Sequence, residues 1–455
     1  MPGFILNPIA IYGSEPGFQP PPPYTPTYNA IYFSGIDQYY YSGSNLFGDP
    51  DRRGGINRTF FDNSGSLESP NQWIITSNGV GTGETPILTR AGGSLRDTVL
   101  QYWDIESGST SYKRLQTTNK LEFPFAQMEY ADTFPDTGGT GRGIETSQDE
   151  EYALFYGEEF LRTSATDTHE SGIAKLPYST ITSSYAGDST FKTNIGSGPN
   201  NLTRGGSGGR INKLHITSAK KIGVCHNAVG WDNVTGSVQE FVVLNNDGSQ
   251  DYNFSFSGSW TNAAGDEQNN GSTLATYYFD NPADGKKRWI VAGSFKKFNG
   301  TTYNHILAFD ETGSIDTTFN SFGAGFNSTV KNIFKVDDDF MCVVGEFTTY
   351  NGSNAQRAVV LRYDGAMLGG MTSNDGNVIY DGVFYDEYLY LRGDFINWQP
   401  QGGSSIFANG IASVKTDFAT VNPNYFTGTG SFETEFGYSD IFDTGSSQPV
   451  EVFLG

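Results

Sequence analysis

Residues 291–320, VAGSFKKFNGTTYNHILAFDETGSIDTTFN, are followed about fifty residues later by VVGEFTTYNGSNAQRAVVLRYDG at 343–365, which repeats most of the same pattern. Each copy holds an apolar run ending in glycine, an aromatic, an Asn-Gly dipeptide, a second apolar run and an acidic, glycine-containing turn. A chain that repeats a unit of this length is built from stacked supersecondary pieces, because one such unit cannot bury its own apolar faces.

The flanking sequence extends the pattern. In TVKNIFKVDDDFMCVVGEF (329–347) one apolar run leads through an acidic tight turn into another, and NVIYDGVFYDEYLYLRGDF (377–395) has the same plan, with Asp386 and Glu387 at the turn. TLATYYFDNPADGKKRWIVAGSF (273–295) matches with a longer loop, while INKLHITSAKKIGVCHNAV (211–229), GIETSQDEEYALFYGEEF (143–160) and PILTRAGGSLRDTVLQYWD (86–104) are progressively weaker members. A third run follows in each good unit: NHILAFD, RAVVLRYD, NGIASVKTD, QEFVVLNND, SGIAKLPYS and GINRTFFDN. Several of these end in DNSGSLE, NNDGSQD or DETGSID, where glycine suits a reversal that needs positive φ.

Aligning Gly157, Gly223, Gly293, Gly345 and Gly393 gives successive spacings of 66, 70, 52 and 48 residues. Three or four short antiparallel strands per unit at that period predict an all-β fold, a β-propeller. Composition agrees. Aromatics make up 15% and charged residues only 17% of the 455 residues, with 57 glycines, which suits many half-buried strands and many turns. No window has sustained helical periodicity, so helix should be scarce. The end of the chain, ETEFGYSDIFDTGSSQPVEVFLG, reads as opening strands of a unit, and the first unit, AIYFSGIDQ at 30–38, lacks part of its own opening. Pairing of N- and C-terminal strands would complete one blade and cover both edges. This count gives seven blades; eight is the alternative. The organisation expected is a Pro-rich arm over 1–28 and a propeller over 29–455.

The clearest copy resembles the delta-60 type of β-propeller repeat, with its Gly-Gly-x-Phe, Tyr-Asn-Gly and Asp-Gly-Ser-Leu-Asp-x-x-Phe elements. Gly293, Phe295, Phe298, Asn299 and Gly300 match the first half, and Asp310, Gly313, Ser314, Asp316, Phe319 and Asn320 the second. Gly345, Phe347, Tyr350, Asn351 and Gly352 match in the next unit, whose tail is replaced by GAMLGG; Gly393 and Phe395 mark the one after. The resemblance is specific over roughly 270–400. It implies an architecture shared with bacterial surface and secreted proteins and with bacteriophage virion proteins of tails and appendages. No catalytic set comes with it.

The residues themselves nominate no reaction. Asn-Gly is a leading hairpin dipeptide because both residues tolerate positive φ; a sugar contact is the competing reading of Asn299-Gly300 and Asn351-Gly352. The acidic turns supply too few carboxylates for calcium, which takes six to eight oxygens. His169, His215, His226 and His305 lack metal or triad spacing, and Cys225 and Cys342 sit in apolar runs as buried thiols. No carboxylate pair is singled out for glycosidase chemistry. An enzyme is not expected, nor any cofactor or metal.

A formal net charge of −22 repels polyphosphate, so a nucleic-acid partner is not expected, and no apolar run approaches the length of a membrane span. The N-terminus has no basic leader, which suggests synthesis in the cytoplasm. EPGFQPPPPYTPTY (15–28) should be extended and stiff. Phe18, Pro20, Pro21, Pro22, Pro23 and Tyr24 make it a candidate docking arm. The missing leader, the near absence of cysteine, the Gly/Ser/Thr/Asn/Tyr-rich all-β composition and this arm fit one setting that the resemblance implies: a bacteriophage virion structural protein, a propeller in the tail, tail tip or appendage within a multi-copy assembly. It would bind other virion proteins and a host-surface glycan or protein. A bacterial adhesive propeller and a polysaccharide-active propeller enzyme are the alternatives.

Overall fold

The computed structural model describes strand backbone in segments between residues 30 and 146 and at 452–454, and backbone with side chains in segments between 145 and 420. The Pro-rich arm lies outside the described residues. Among those residues the fold is all-β apart from one short helix, Ser189–Ile195.

Each repeat unit forms an antiparallel meander, numbered here as sheets in chain order. Sheet 5 shows the plan. Thr273–Asn281 pairs with Lys286–Gly293, which pairs in turn with Ile306–Phe309. Sheet 6 consists of Val330–Lys335, Phe340–Gly345, Ala358–Arg362 and a fourth strand, Met367–Gly370. Sheet 7 is Val378–Tyr385, Tyr388–Asp394 and Ile411–Lys415; sheet 4 is Ile211–Ile216, Ile222–His226 and Phe241–Leu244; sheet 3 is Gly141–Thr146, Tyr152–Gly157 and Ile173–Pro177. In sheets 4 and 5 the fourth strand shrinks to single bridges, Leu244 to Gln250 and Phe309 to Ile315.

Sheet 2 comprises Ile87–Leu88, Val99–Glu106, Ser109–Gln116 and Glu129–Thr133. Sheet 1 joins the two ends of the chain. Val452–Leu454 pairs antiparallel with Ala30–Ser42, Phe33 opposite Val452 and Ile31 opposite Leu454, and Asn45–Phe60 and Gln72–Ile75 follow outward. Small two- and three-stranded ribbons decorate the sheets, the Asn-Gly hairpins among them.

Neighbouring sheets pack through their opening strands. Ile211–Ile216 lies against Thr273–Asn281, that strand against Val330–Lys335, and Val330–Lys335 against Val378–Tyr385, which also touches Val452–Leu454. The second strands are therefore buried on both faces. Trp289 and Val291 join Cys225, Phe241 and Val243 of sheet 4 in one cluster. Ile290 and Ala292 join Val330, Ile333, Met341 and Val343 of sheet 6 in another. The helix is capped by Asp188, whose Oδ1 accepts the Thr190 and Phe191 amides, and it buries Phe191 and Ile195 in the cluster between sheets 3 and 4.

Candidate functional site

The repeat signature is the natural place to look for a site, and the geometry assigns each of its residues a structural task. Asn299 (φ 48°) and Gly300 (φ 77°) form the two-residue turn between Lys297–Phe298 and Thr301–Thr302. Asn351 (φ 48°) and Gly352 (φ 81°) do the same between Thr349–Tyr350 and Ser353–Asn354. Positive φ at both centres is the requirement of this tight hairpin. The Asn351 side chain is also engaged: its Oδ1 accepts the Gly325 amide at 2.7 Å, tying the turn to the segment that enters sheet 6.

The glycines that close the second strands have a different reason. Gly293, Gly345 and Gly393 do not adopt left-handed φ, so they are not hinges of the Gly313 kind (φ 83°). They sit at or beside bulges where the pairing register shifts, at Thr273/Ala275, Val330/Asn332 and Ile379/Asp381. A Cβ at Gly293 would lie 2.0 Å from the Ser272 carbonyl oxygen; at Gly345, 2.3 Å from that of Thr329; at Gly393, 2.5 Å from that of Val378. Close backbone approach is what demands glycine there.

Gly223 is not their counterpart. In sheet 4 the bulge-closing position is His226, opposite Ile211, and its amide donates to Glu240 O as that of Gly293 does to His305 O. Gly223 lies mid-strand under Trp289, whose Cζ3 would be 2.3 Å from a Cβ. The spacing that runs through Gly223 is therefore corrected by three residues.

The aromatics are wedges between sheets. Phe295 and Phe298 pack with Cys225 and Phe241 of sheet 4. Phe319, Phe347 and Tyr350 fill the seam between sheets 5 and 6, and Phe395 with Trp398 the seam between 6 and 7. Tyr350 donates its buried hydroxyl to Gly365 O at 2.7 Å. No signature ring presents a free face: Phe295, Phe298, Phe319, Phe347, Tyr350 and Phe395 are all buried.

The acidic residues of the turns are likewise occupied. Asp310 Oδ1 accepts the amides of Thr312 and Ser314, and Asp247 Oδ1 that of Ser249. Asp316 is half of a buried ion pair. Its Oδ2 lies 2.5 Å from Nε of Arg288, a side chain with no exposure, while its Oδ1 accepts the Thr318 amide at 2.7 Å. Burial pushes this carboxyl up, but the Arg288 and Thr318 hydrogen bonds outweigh it and hold it below the ordinary carboxylate range. Sheet 4 has the same device at the same register, Lys221 Nζ to Asp251 Oδ2 at 2.8 Å. Sequence reasoning missed this pairing, although a basic residue opening the second strand recurs with an Asp after the Gly-Ser turn.

His305 is buried with Nδ1 3.1 Å from Gly293 O, and burial pushes it down to about 4; burial takes His226 to about 3. His215 lies against Tyr277, ring centroids 4.1 Å apart. The Cys225 and Cys342 thiols are buried and pushed up. Among the described residues no group of three or more His, Cys, Asp or Glu is placed to hold a metal ion. No helix among them is long and apolar enough to cross a membrane.

One stretch has a counterpart among known families. Residues 283–319 match the family described as "Domain of unknown function (DUF5122) beta-propeller". This chain carries a β-propeller repeat. The match spans the second strand of sheet 5, the Asn299-Gly300 hairpin, the third strand and the Asp316–Phe319 turn, and so takes in the signature residues of that unit from Gly293 to Phe319; Asn320 lies outside the described residues. No curated protein shows a significant match to the chain.

Proposed function

We propose that this chain is a structural component of a bacteriophage virion, a seven-bladed propeller of the tail, tail tip or appendage. It acts as a rigid disc whose faces bind neighbouring virion proteins and the host surface. The observation that carries the reading is that every described residue of the repeat signature is spent on turns, bulges and seams between sheets. The repeat thus builds a scaffold, and recognition falls to the loops and faces around it. The repeat resembles those of bacterial surface and secreted proteins as well as those of phage tail and appendage proteins, and the phage setting is the one we propose.

The seven meandering sheets found among the described residues, and the pairing of Val452–Leu454 with Ala30–Ser42, support a ring of seven blades closed by the chain ends. Closure of that kind leaves no exposed opening edge. A formal charge of −22 suits a soluble disc that resists nonspecific clustering until a specific partner docks.

Mass spectrometry of purified virions tests the reading directly. The polypeptide should be present in a fixed stoichiometry and should resolve as a ring in averaged images of the assembly. Its absence from virions sinks the proposal. Deleting residues 1–28 tests the docking arm: incorporation should fall, and unchanged incorporation removes the arm from the scheme.

A further inference from the structure

A cleft of about 190 Å³ opens where the first hairpins of sheets 4, 5 and 6 come together. Its floor is a ladder of four rings drawn from three sheets. His215 lies 4.1 Å from Tyr277, Tyr277 4.5 Å from Phe279, and Phe279 4.1 Å from Tyr363, each centroid to centroid with interplanar angles near 30°. Tyr277 is thereby held between two rings, and Phe279 and Tyr363 are almost wholly buried. The walls are polar: Thr217 and Ser218 from sheet 4, Tyr278 and Asp280 from sheet 5, Lys335 and Asp338 from sheet 6.

We infer that this cleft binds one sugar residue of a neutral glycan. Three observations select that ligand. Drug-sized and cofactor ligands fill pockets of about 300–1,000 Å³ lined mainly by apolar groups, whereas this cleft is smaller and rimmed by hydroxyls, carboxylates and an ammonium group. The charges on its walls are already paired: Lys335 Nζ lies 2.5 Å from Asp338 Oδ1, and Asp280 Oδ2 3.5 Å from Lys287 Nζ. Paired charges give strong hydrogen-bond donors and acceptors with little net field, which favours a neutral polyhydroxylated ligand over an ion. The floor is pre-organised, because its rings are fixed by one another, so little ordering entropy is lost when a ligand arrives.

The site exists only where three sheets pack side by side, so no single repeat could carry it. It deepens the attachment part of the proposed function by locating where a surface glycan would be held, and it rests on that reading only for the source of the glycan. A chain absent from virions that still binds sugar in this cleft would refute the virion role and leave this inference standing.

The test uses the purified full-length chain and saturation-transfer NMR against glucose, galactose, N-acetylglucosamine and rhamnose, with choline as an organic cation for comparison. Dissociation constants are expected on the order of millimolar, as suits a single ring. Ser218→Trp, at an exposed hairpin position, should plug the cleft, and Asp280→Ala should remove an acceptor from its wall. Each is expected to weaken binding by at least about tenfold, with the thermal midpoint held at the wild-type value as the check on folding. Lys335→Ala gives a second, independent reading should Ser218→Trp lower that midpoint. Failure of every sugar to bind overturns the inference. So does binding that both wall variants leave unchanged, and so does binding of choline alone.

Discussion

Replacing Gly293 with alanine separates two reasons for placing a glycine within the repeat unit. The new Cβ would stand 2.0 Å from Ser272 O and 3.0 Å from Leu274 N, against 3.4 Å or more for ordinary contact. The Ser272 carbonyl must therefore retreat by about 1.4 Å. It cannot do so freely, because it accepts the Ser294 amide at 2.9 Å. Overpacking a tight site costs about 1–3 kcal/mol, and losing the hydrogen bond adds about 1 kcal/mol, so Gly293→Ala should cost about 3 kcal/mol. Gly300→Ala provides the contrast. Nothing lies within 4 Å of its Cβ, and the penalty is only the φ of 77°, about 1–2 kcal/mol for an L residue. Asparagine, which tolerates left-handed φ, should recover part of the loss at Gly300 and none at Gly293. Denaturant unfolding of the four variants, with hydrogen exchange on peptides covering 286–309 to place the damage, measures both numbers. If Gly293→Asn proved more stable than Gly293→Ala, or Gly293→Ala cost less than Gly300→Ala, the close-approach reasoning would be refuted.

Asp316→Ala takes from the buried Arg288 guanidinium the carboxylate it pairs with and should cost about 3–5 kcal/mol at neutral pH, read as a fall in the unfolding midpoint. Because the folded carboxyl sits below its ordinary 3.8, its contribution is present above that value and lost as pH falls through the depressed one. The gap between variant and wild type should accordingly close under acid. His305 runs the other way from a histidine with an anionic partner. Held neutral down to about 4 by burial, it leaves the unfolded chain binding the extra proton from about pH 6.5 downward. Stability should drop by up to about 3 kcal/mol between pH 6.5 and 4. His305→Asn, which suits the φ of 76°, should flatten that slope in a pH series of melts. Tyr350→Phe leaves Gly365 O without its buried donor and should cost about 1 kcal/mol, measured by the same unfolding assay.

Strand pairs and hairpins were legible because their signals are local. TVKNIFK and FMCVVG flank an acidic tight turn, and Asn299-Gly300 names its own conformation within two residues. Devices that join distant positions were not. Arg288 finds Asp316 across 28 residues and Lys221 finds Asp251 across 30, and neither partner is unusual where it stands. The Ser189–Ile195 helix hides in a Ser/Thr-rich connection, although Asp188 as cap and Phe191 and Ile195 at i, i+4 are its signature. The turn that follows Ile411–Lys415, built on Phe418 (φ 55°) instead of glycine, was equally invisible. The ring ladder of the cleft draws on residues from 215 to 363, which no local pattern brings together.

The second strands are buried along nearly their whole length instead of at alternate residues, and this has a consequence for register. In a sheet with one wet face, alternation of apolar and polar residues fixes the pairing, since a slip by one residue exposes the core face. Here Trp289 and Val291 face sheet 4 while Ile290 and Ala292 face sheet 6. Both sides are apolar, and a slipped strand would still bury hydrophobic groups. Something else must choose the register. The glycines at the bulges do so sterically: a one-residue slip in sheet 5 would bring Ala292 or Ser294 onto the Ser272 carbonyl, and in sheet 6 Val344 or Glu346 onto that of Thr329. Only the Cβ-less residue fits. Sheet 4, with His226 at this position, instead locks against its neighbour through Gly223 beneath Trp289. A glycine thus sets the register of one sheet or the seam between two, and the repeat keeps its glycines for that reason as much as for its turns.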